Sequence, residues 1–172
     1  MEPVLHFAIP FALGSMVRLG LKRSLLLGLL GILPDFDVFY MHRSISHSVI
    51  PSIILVLVSF LPWNYRLRSV LRLSALGLGS HVILDFTGGY TPVLWPLSQN
   101  SYKLVLESKR HIGSLPTLSF MFKILEQPYN YGVLTNFDAP IFTAEGLLIA
   151  FLTVALAITI QKKIKLKTTI DT

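Results

Sequence analysis

Apolar segments make up most of this chain, and each is bounded by polar or charged residues. We read five of them, at about residues 4–17, 25–33, 49–63, 73–86 and 142–160. A helix needs about 20 apolar residues to cross a hydrocarbon core of about 30 Å, and only the last segment approaches that length. Mean hydropathy is +0.63, far above the values typical of soluble globular proteins. The pattern predicts an all-α, polytopic membrane protein with about five membrane helices.

Basic residues lie between alternate apolar segments and after the last one. The three groups are Arg18, Lys22 and Arg23, then Arg66, Arg68 and Arg72, then Lys162, Lys163, Lys165 and Lys167. The positive-inside rule predicts that all three are cytoplasmic, which places the N-terminus outside the cell membrane and the C-terminus inside. Residues 1–172 would form one membrane-embedded domain. Residues 88–140 would form an outer loop region that could cover the site, with alternation at 102–107 that suits short strands.

Histidines and aspartates lie at the segment ends that this topology places outside. They are His6, Asp35, Asp37, His42, His47, His81 and Asp85. Ionisable side chains are costly in such places and therefore indicate function. His81 and Asp85 are four residues apart, so on a helix they share one face and can hold one ion. The chain has no cysteine, which leaves imidazole and carboxylate as its strong ligands. We predict that the seven bind one or two divalent metal ions, most readily zinc, with manganese or iron as alternatives.

Each group also has a simpler interpretation when taken alone. His81 and Asp85 could be a hydrogen-bonded buried pair, Asp35 and Asp37 could be turn residues after Pro34, and His6 could be an interfacial histidine. Seven ligands also exceed the three that usually hold one catalytic zinc. We favour Asp37, His47, His81 and Asp85 as direct ligands. His6, Asp35 and His42 would then orient these or hold a second metal.

Nearby residues have separate predicted roles. Ser46 is the predicted N-cap of the third segment, and Gly28 and Gly31 indicate close helix packing. The formal charge of +6 lies beside apolar segments and not along a stripe with interleaved aromatics, so nucleic acid is not a predicted partner. A rise of about 1.5 Å per residue puts His6 about 18 Å from Arg18, within the outer half of the bilayer. That depth favours a lipid-borne substrate.

The order of these motifs resembles a family of inner-membrane-associated metal-dependent hydrolases, first noticed among bacterial proteins linked to the DNA-damage response. The resemblance rests on His6, Leu33-Pro34-Asp35-Phe36-Asp37, His42-Arg43, His47-Ser48, His81 to Asp85, Thr91 and Trp95-Pro96. It covers roughly residues 1–100, with a weaker likeness at 137–146. It implies a helical inner membrane protein and a hydrolase whose Asp and His residues bind metal. More loosely, the pattern is similar to zinc-dependent phospholipase C, which favours phosphoesters.

The predicted function is metal-dependent hydrolysis of a small-molecule, lipid or lipid-linked ester or phosphoester by metal-activated water. Asp35 would be the general base, and Arg43 would stabilise developing negative charge. A membrane transporter or ion pathway is the main alternative, because intramembrane His and Asp also mark such routes. A non-catalytic scaffold held together by metal is the other. The sequence leaves the oligomeric state open.

Overall fold

The computed structural model describes the backbone of residues 2–39, 45–111, 117–128 and 142–170. Side chains are described for 2–36, 45–109, 119–128 and 142–163. The helices are α1 (Pro3–Met16), α2 (Leu21–Ile32), α3 (Val49–Val58), α4 (Tyr65–Gly88) and α5 (Ala144–Ile170). Short 3-10 segments lie at Leu33–Phe39 and Ile45–His47. The strands are β1 (Asn100–His111) and β2 (Thr117–Pro128).

Helix α1 lies between α2 and α5, α2 packs on α4, and α4 packs on α3. Phe11 and Ala12 of α1 and Ala157 of α5 form a buried cluster, with Phe7 and Val154 beside it. Helices α1 and α2 approach closely near Gly31, where an added Cβ would overlap the carbonyl oxygen of His6. This packing brings the start of α1 next to the end of α2.

Helices α1 and α5 run in the same direction. The Glu2 carboxylate, just before α1, accepts hydrogen bonds from the backbone N–H and the hydroxyl of Thr143, just before α5, at 2.9 and 2.6 Å. At the other end, the Gln161 amide of α5 donates to the Ser15 hydroxyl of α1 at 2.9 Å. The Thr143 hydroxyl also accepts from the Gly146 N–H and so caps the first turn of α5.

The prediction of an all-α protein with five membrane helices is wrong. Two helices in the described part of the chain are long and apolar enough to cross a membrane, α4 and the Ala144–Lys163 portion of α5. Helices α1, α2 and α3 have 14, 12 and 10 residues, which at about 1.5 Å each give about 21, 18 and 15 Å. None of these lengths reaches about 30 Å. The apolar composition predicted the positions of these helices, but it did not predict whether each of them is long enough to span a membrane.

Two local boundaries also differ from the predicted ones. The second basic group does not separate two helices, because Arg66, Arg68 and Arg72 lie inside α4. That helix begins after Asn64, whose side chain accepts from the Leu67 N–H.

The N-cap of α3 is Ser48, not Ser46, since the Ser48 hydroxyl accepts from the Ile50 N–H at 3.1 Å. Ser48 also donates to the carbonyl of Trp95 and so connects α3 to the chain after α4.

The described part of residues 88–140 contains a two-stranded antiparallel sheet. Strand β1 pairs with β2 from Asn100 opposite Pro128 to His111 opposite Thr117. An isolated bridge between Thr91 and Tyr102 holds the base of this hairpin to the end of α4. The alternating stretch at 102–107 therefore belongs to a strand of 12 residues.

Candidate metal centre

Four helix ends and the two short 3-10 segments next to them bring five predicted site residues together. We call them the His/Asp cluster: His6, Asp35, His47, His81 and Asp85. His6 lies near the start of α1, Asp35 follows α2, His47 precedes α3, and His81 and Asp85 lie one turn apart near the end of α4. The three imidazoles and Asp85 are at most 3% exposed, and Asp35 is 18% exposed. The cluster is therefore nearly closed to solvent, with its opening at Asp35.

The carboxylate of Asp85 is the centre of the cluster. Its Oδ1 atom lies 3.3 Å from His6 Nε2. Its Oδ2 atom lies 3.4 Å from both His47 Nε2 and His81 Nε2. The rings are close as well, with centroids 4.1 Å apart for His6 and His81 and 4.7 Å apart for His47 and His81. The Nε2 atoms of three histidines thus face one carboxylate.

The tautomer of His81 follows from its other ring nitrogen. His81 Nδ1 lies 2.8 Å from the carbonyl oxygen of Gly31, which can only accept, so Nδ1 carries the proton and donates. In a neutral imidazole Nε2 then bears a lone pair. His81 Nε2 is buried and has no hydrogen-bond partner among the described residues. A lone pair therefore faces the Asp85 carboxylate, an unfavourable contact unless a proton or cation lies between them.

His6 has the same arrangement. Its Nδ1 donates to Asp35 Oδ2 at 2.9 Å, because a carboxylate only accepts. Its Nε2 is buried without a hydrogen-bond partner in the described part of the chain. A carboxylate that orients a histidine whose other nitrogen is left for a metal is a common device in metal sites. His47 Nδ1 lies 3.1 Å from the hydroxyl of Ser46, whose predicted role was a helix cap.

The donor set fits a divalent transition metal. Nitrogen and oxygen ligands bind zinc at about 2.0–2.2 Å, so two ligands on one tetrahedral ion lie about 3.3–3.5 Å apart. The separations of 3.3 and 3.4 Å between Asp85 and the three Nε2 atoms match that spacing. Two overlapping trios have donor atoms within 4.8 Å of one another: His6, His81 and Asp85, and Asp35, His47 and His81. Imidazole and carboxylate without thiolate suit zinc, manganese or iron.

The other predicted site residues cannot be placed in the cluster. The backbone of Asp37 lies in the 3-10 segment Leu33–Phe39, but its side chain lies outside the described residues. His42 and Arg43 lie outside them entirely. Their roles stay predictions.

Sequence reasoning overlooked the acceptor for His81. Gly31 was interpreted as a packing residue alone, yet its carbonyl fixes the His81 ring. The available signal was its position, since the last four carbonyls of a helix have no partner within that helix and Gly31 lies in the last turn of α2.

A family model described as YdjM inner membrane protein matches residues 1–164. No curated protein and no solved structure matches the chain.

Proposed function

The chain belongs to the YdjM inner membrane protein family, and from that premise we propose that it is a membrane-bound metal-dependent hydrolase whose metal is held by the His/Asp cluster. The observation that carries the proposal is the pair of buried Nε2 atoms of His6 and His81. Each has its Nδ1 proton committed to an acceptor, and both turn their lone pairs to Asp85. Burying such an arrangement without a cation leaves polar atoms unsatisfied at a cost of about 1–3 kcal/mol each.

In this proposal His6, His47, His81 and Asp85 hold one or two metal ions. When bound, a divalent metal lowers the pKa of a water to about 7 and stabilises developing negative charge. Asp35 orients His6 through Oδ2, while Oδ1 lies 3.9 Å from His81 Nε2. Because Asp35 is the most exposed member of the cluster, its Oδ1 is the atom best placed to accept a proton from water.

The substrate that fits this setting is a lipid or lipid-linked ester or phosphoester. The cluster is nearly closed to solvent, and the protein belongs to an inner membrane family, and both observations favour a substrate carried in the bilayer over a free solute. Such a substrate also agrees with the resemblance to metal-dependent hydrolases of the inner membrane.

We also propose an orientation based on the two candidate spans. Basic residues lie at the start of α4 and, as Lys162 and Lys163, near the end of α5. The positive-inside rule then places both of these ends in the cytoplasm. The hairpin between α4 and α5 would face the other side, as would the His/Asp cluster near the end of α4.

A transporter is the weaker alternative. Away from the cluster, the polar residues buried between α1, α2 and α5 are Ser15 and Ser24, which are hydrogen-bonded to Gln161. Hydroxyl and amide groups do not relay protons as a chain of titratable side chains does. This distribution supports a polar site at one end of these three helices over a path along them.

Metal content and turnover test this function together. We would purify the wild type, His81→Ala and Asp85→Asn in detergent, with His111→Ala as a matched control outside the cluster. Wild type and control should hold at least one metal ion and hydrolyse a fluorogenic phospholipid, and both cluster variants should lose metal and more than about 100-fold in rate. A folded wild type that binds no added zinc, manganese or iron would overturn the metal centre. If the protein binds metal but hydrolyses neither a phospholipid nor a soluble phosphoester, the hydrolase proposal is overturned and the non-catalytic, metal-held scaffold is favoured.

A further inference from the structure

The β1–β2 hairpin has one apolar face. Its register pairs Leu104 with Ile124, Leu106 with Phe122 and Ser108 with Phe120. Directly paired residues of antiparallel strands lie on the same side of the sheet, and alternate residues share it. Leu104, Leu106, Phe120, Phe122 and Ile124 therefore form one surface, which we call the apolar face. Phe122 is 75% exposed and Phe120 is 66% exposed.

The opposite face of the hairpin is basic. It carries Lys103 and Lys109 from β1 and Lys123 from β2. One carboxylate, Glu107, lies among them, 3.2 Å from the Lys109 ammonium. This face also carries three apolar side chains without aromatic rings, those of Val105, Met121 and Leu125. The two faces therefore differ in that both phenylalanines lie on one and the net positive charge lies on the other.

A hairpin of this kind needs a surface under its apolar face. An isolated two-stranded hairpin is at best marginally stable in water, and it becomes stable when that face packs against something. Within the described part of the chain, the hairpin meets α4 and the Thr91 bridge at its base. The aromatic side chains farther along stay exposed, and a contiguous patch of this type marks an interaction site.

We propose that the apolar face lies on the lipid bilayer, at the level of the headgroups. Three arguments favour lipid. The hairpin connects the two helices long enough to span, which keeps it at the membrane surface. The lysines on its other face can reach anionic phosphates. Apart from the Thr91 bridge, neither outer strand edge is paired with another strand in the described part of the chain, and water and headgroups can satisfy such edges whereas the hydrocarbon interior cannot.

The size of the apolar face argues against a second copy of the chain as its occupant. Its most exposed side chains, Leu106, Phe120, Phe122 and Ile124, are between 57% and 75% exposed, and at roughly 150–250 Å² for a fully exposed side chain of this size they offer roughly 400–650 Å². A stable protein interface buries about 800 Å² on each partner. A bilayer needs no such minimum area, because the spanning helices already hold the hairpin beside it.

This inference does not depend on the metal or on hydrolysis. The segment between α4 and the hairpin contacts the chain next to His47. The Val49 N–H donates to the Val93 carbonyl at 2.9 Å, and Ser48 donates to the Trp95 carbonyl at 2.6 Å.

Single-cysteine labelling tests the proposal on the full chain, which has no native cysteine. We would make Phe122→Cys and, as the matched control on the basic face, Lys123→Cys. Each would be labelled with an environment-sensitive fluorophore and reconstituted into vesicles of phosphatidylethanolamine and phosphatidylglycerol. Leu106→Cys, directly opposite Phe122, gives a second reporter on the apolar face. Circular dichroism would check that each variant is folded.

The expected result is a blue-shifted label at positions 122 and 106 that acyl-chain spin-labelled lipids quench severalfold more than the label at 123. Equal quenching at 122 and 123 would overturn the proposal, because both faces would then see the same medium. Cross-linking between copies through position 122 without lipid quenching would also overturn it and assign the face to a second copy. These readouts are independent of metal, so their failure is distinguishable from a failure of the proposed hydrolase.

Discussion

The carboxylate of Asp35 makes two different contacts in the His/Asp cluster. Its Oδ2 atom accepts the His6 Nδ1 proton at 2.9 Å, and Oδ1 lies 3.9 Å from His81 Nε2. Asp85, by contrast, lies within 3.4 Å of three Nε2 atoms. The two carboxylates therefore have different roles in the proposed metal centre, Asp85 as a direct ligand and Asp35 as an orienting group, although both are aspartates at helix ends.

Asp35→Asn should weaken metal binding without abolishing it. The amide oxygen can still accept from His6, but the loss of charge makes the imidazole a poorer ligand. Removal of an orienting partner of this kind typically lowers metal affinity about 10–100-fold. A zinc titration against a competing chelator measures this, with Glu107→Gln on the hairpin as the control. An affinity equal to that of wild type, or a complete loss as expected for Asp85→Asn, would contradict the assigned roles.

The sequence predicted part of the cluster at this scale. The spacing of His81 and Asp85 indicated one helix face, and the structure has both near the end of α4. The hydrogen bond from His81 to Gly31 could not be predicted, because its acceptor is a backbone carbonyl and no residue type identifies it. Local spacing fixed which side chains share a turn, but only the packing of α2 on α4 fixes the tautomer.

Two helical glycines provide a matched test at the scale of secondary-structure elements. A Cβ at Gly31 would overlap the His6 carbonyl and lie 2.8 Å from Pro10 Cγ, so Gly31→Ala must move α1 away from α2. We expect a loss of about 1–3 kcal/mol of unfolding free energy. Gly79→Ala meets nothing closer than the Ser52 hydroxyl at 3.5 Å, so it should be neutral or gain up to about 1 kcal/mol from helix propensity.

Thermal unfolding in detergent, followed by circular dichroism, would compare the two glycine variants. Metal binding should fall in Gly31→Ala as well, because the His6 backbone and the acceptor of His81 both shift. Equal unfolding midpoints for Gly31→Ala and Gly79→Ala would show that the close approach of α1 and α2 does not constrain the fold.

The contact between the starts of α1 and α5 predicts a pH effect. The hydroxyl of Thr143, and then its backbone N–H, donate to Glu2 and hold the pKa of that carboxyl below its usual 4.5. A lowered pKa in the folded state means that the stabilisation is complete above about pH 4.5 and is lost as the pH falls through the folded value.

Glu2→Gln should therefore reduce the acid sensitivity of the protein. The unfolding midpoint of wild type should fall more than that of Glu2→Gln between about pH 6 and about pH 4. Glu145→Gln, an exposed carboxylate in the first turn of α5, is the control and should behave as wild type does. Identical pH profiles for Glu2→Gln and wild type would rule out this link as a source of acid sensitivity.

Sequence reasoning failed most clearly on which helices are long enough to span the membrane. Composition located the apolar helices, but it could not tell a helix that packs within the protein from one that spans, and α3 ends after 10 residues. Alternation over 102–107 was visible, yet the pairing of Leu106 with Phe122 depends on a strand 16 residues further along the chain. Long-range pairing of this kind is set by tertiary packing and is weakly encoded in local pattern.

At the scale of the whole molecule, the polar and basic ends of the helices are separate. Glu2 and Thr143 meet at the end of α1 and α5 that is near His6, whereas Ser15 and Gln161 meet at the opposite end. Arg18 and Lys162 line a common cavity at that second end. The positive charges of two distant parts of the sequence therefore gather on one side of the protein, and this gathering supports the proposed orientation.

That orientation can be tested in whole cells with two cysteine variants of the cysteine-free chain. Lys109→Cys lies on the basic face of the hairpin, and Lys163→Cys lies near the end of α5. If the basic end is cytoplasmic, a membrane-impermeant maleimide should label position 109 in cells whose inner membrane is intact and whose outer envelope has been made permeable to the reagent. It should label position 163 only after the inner membrane is lysed. The reverse pattern would place the His/Asp cluster on the cytoplasmic side, so that its substrate would come from the inner leaflet.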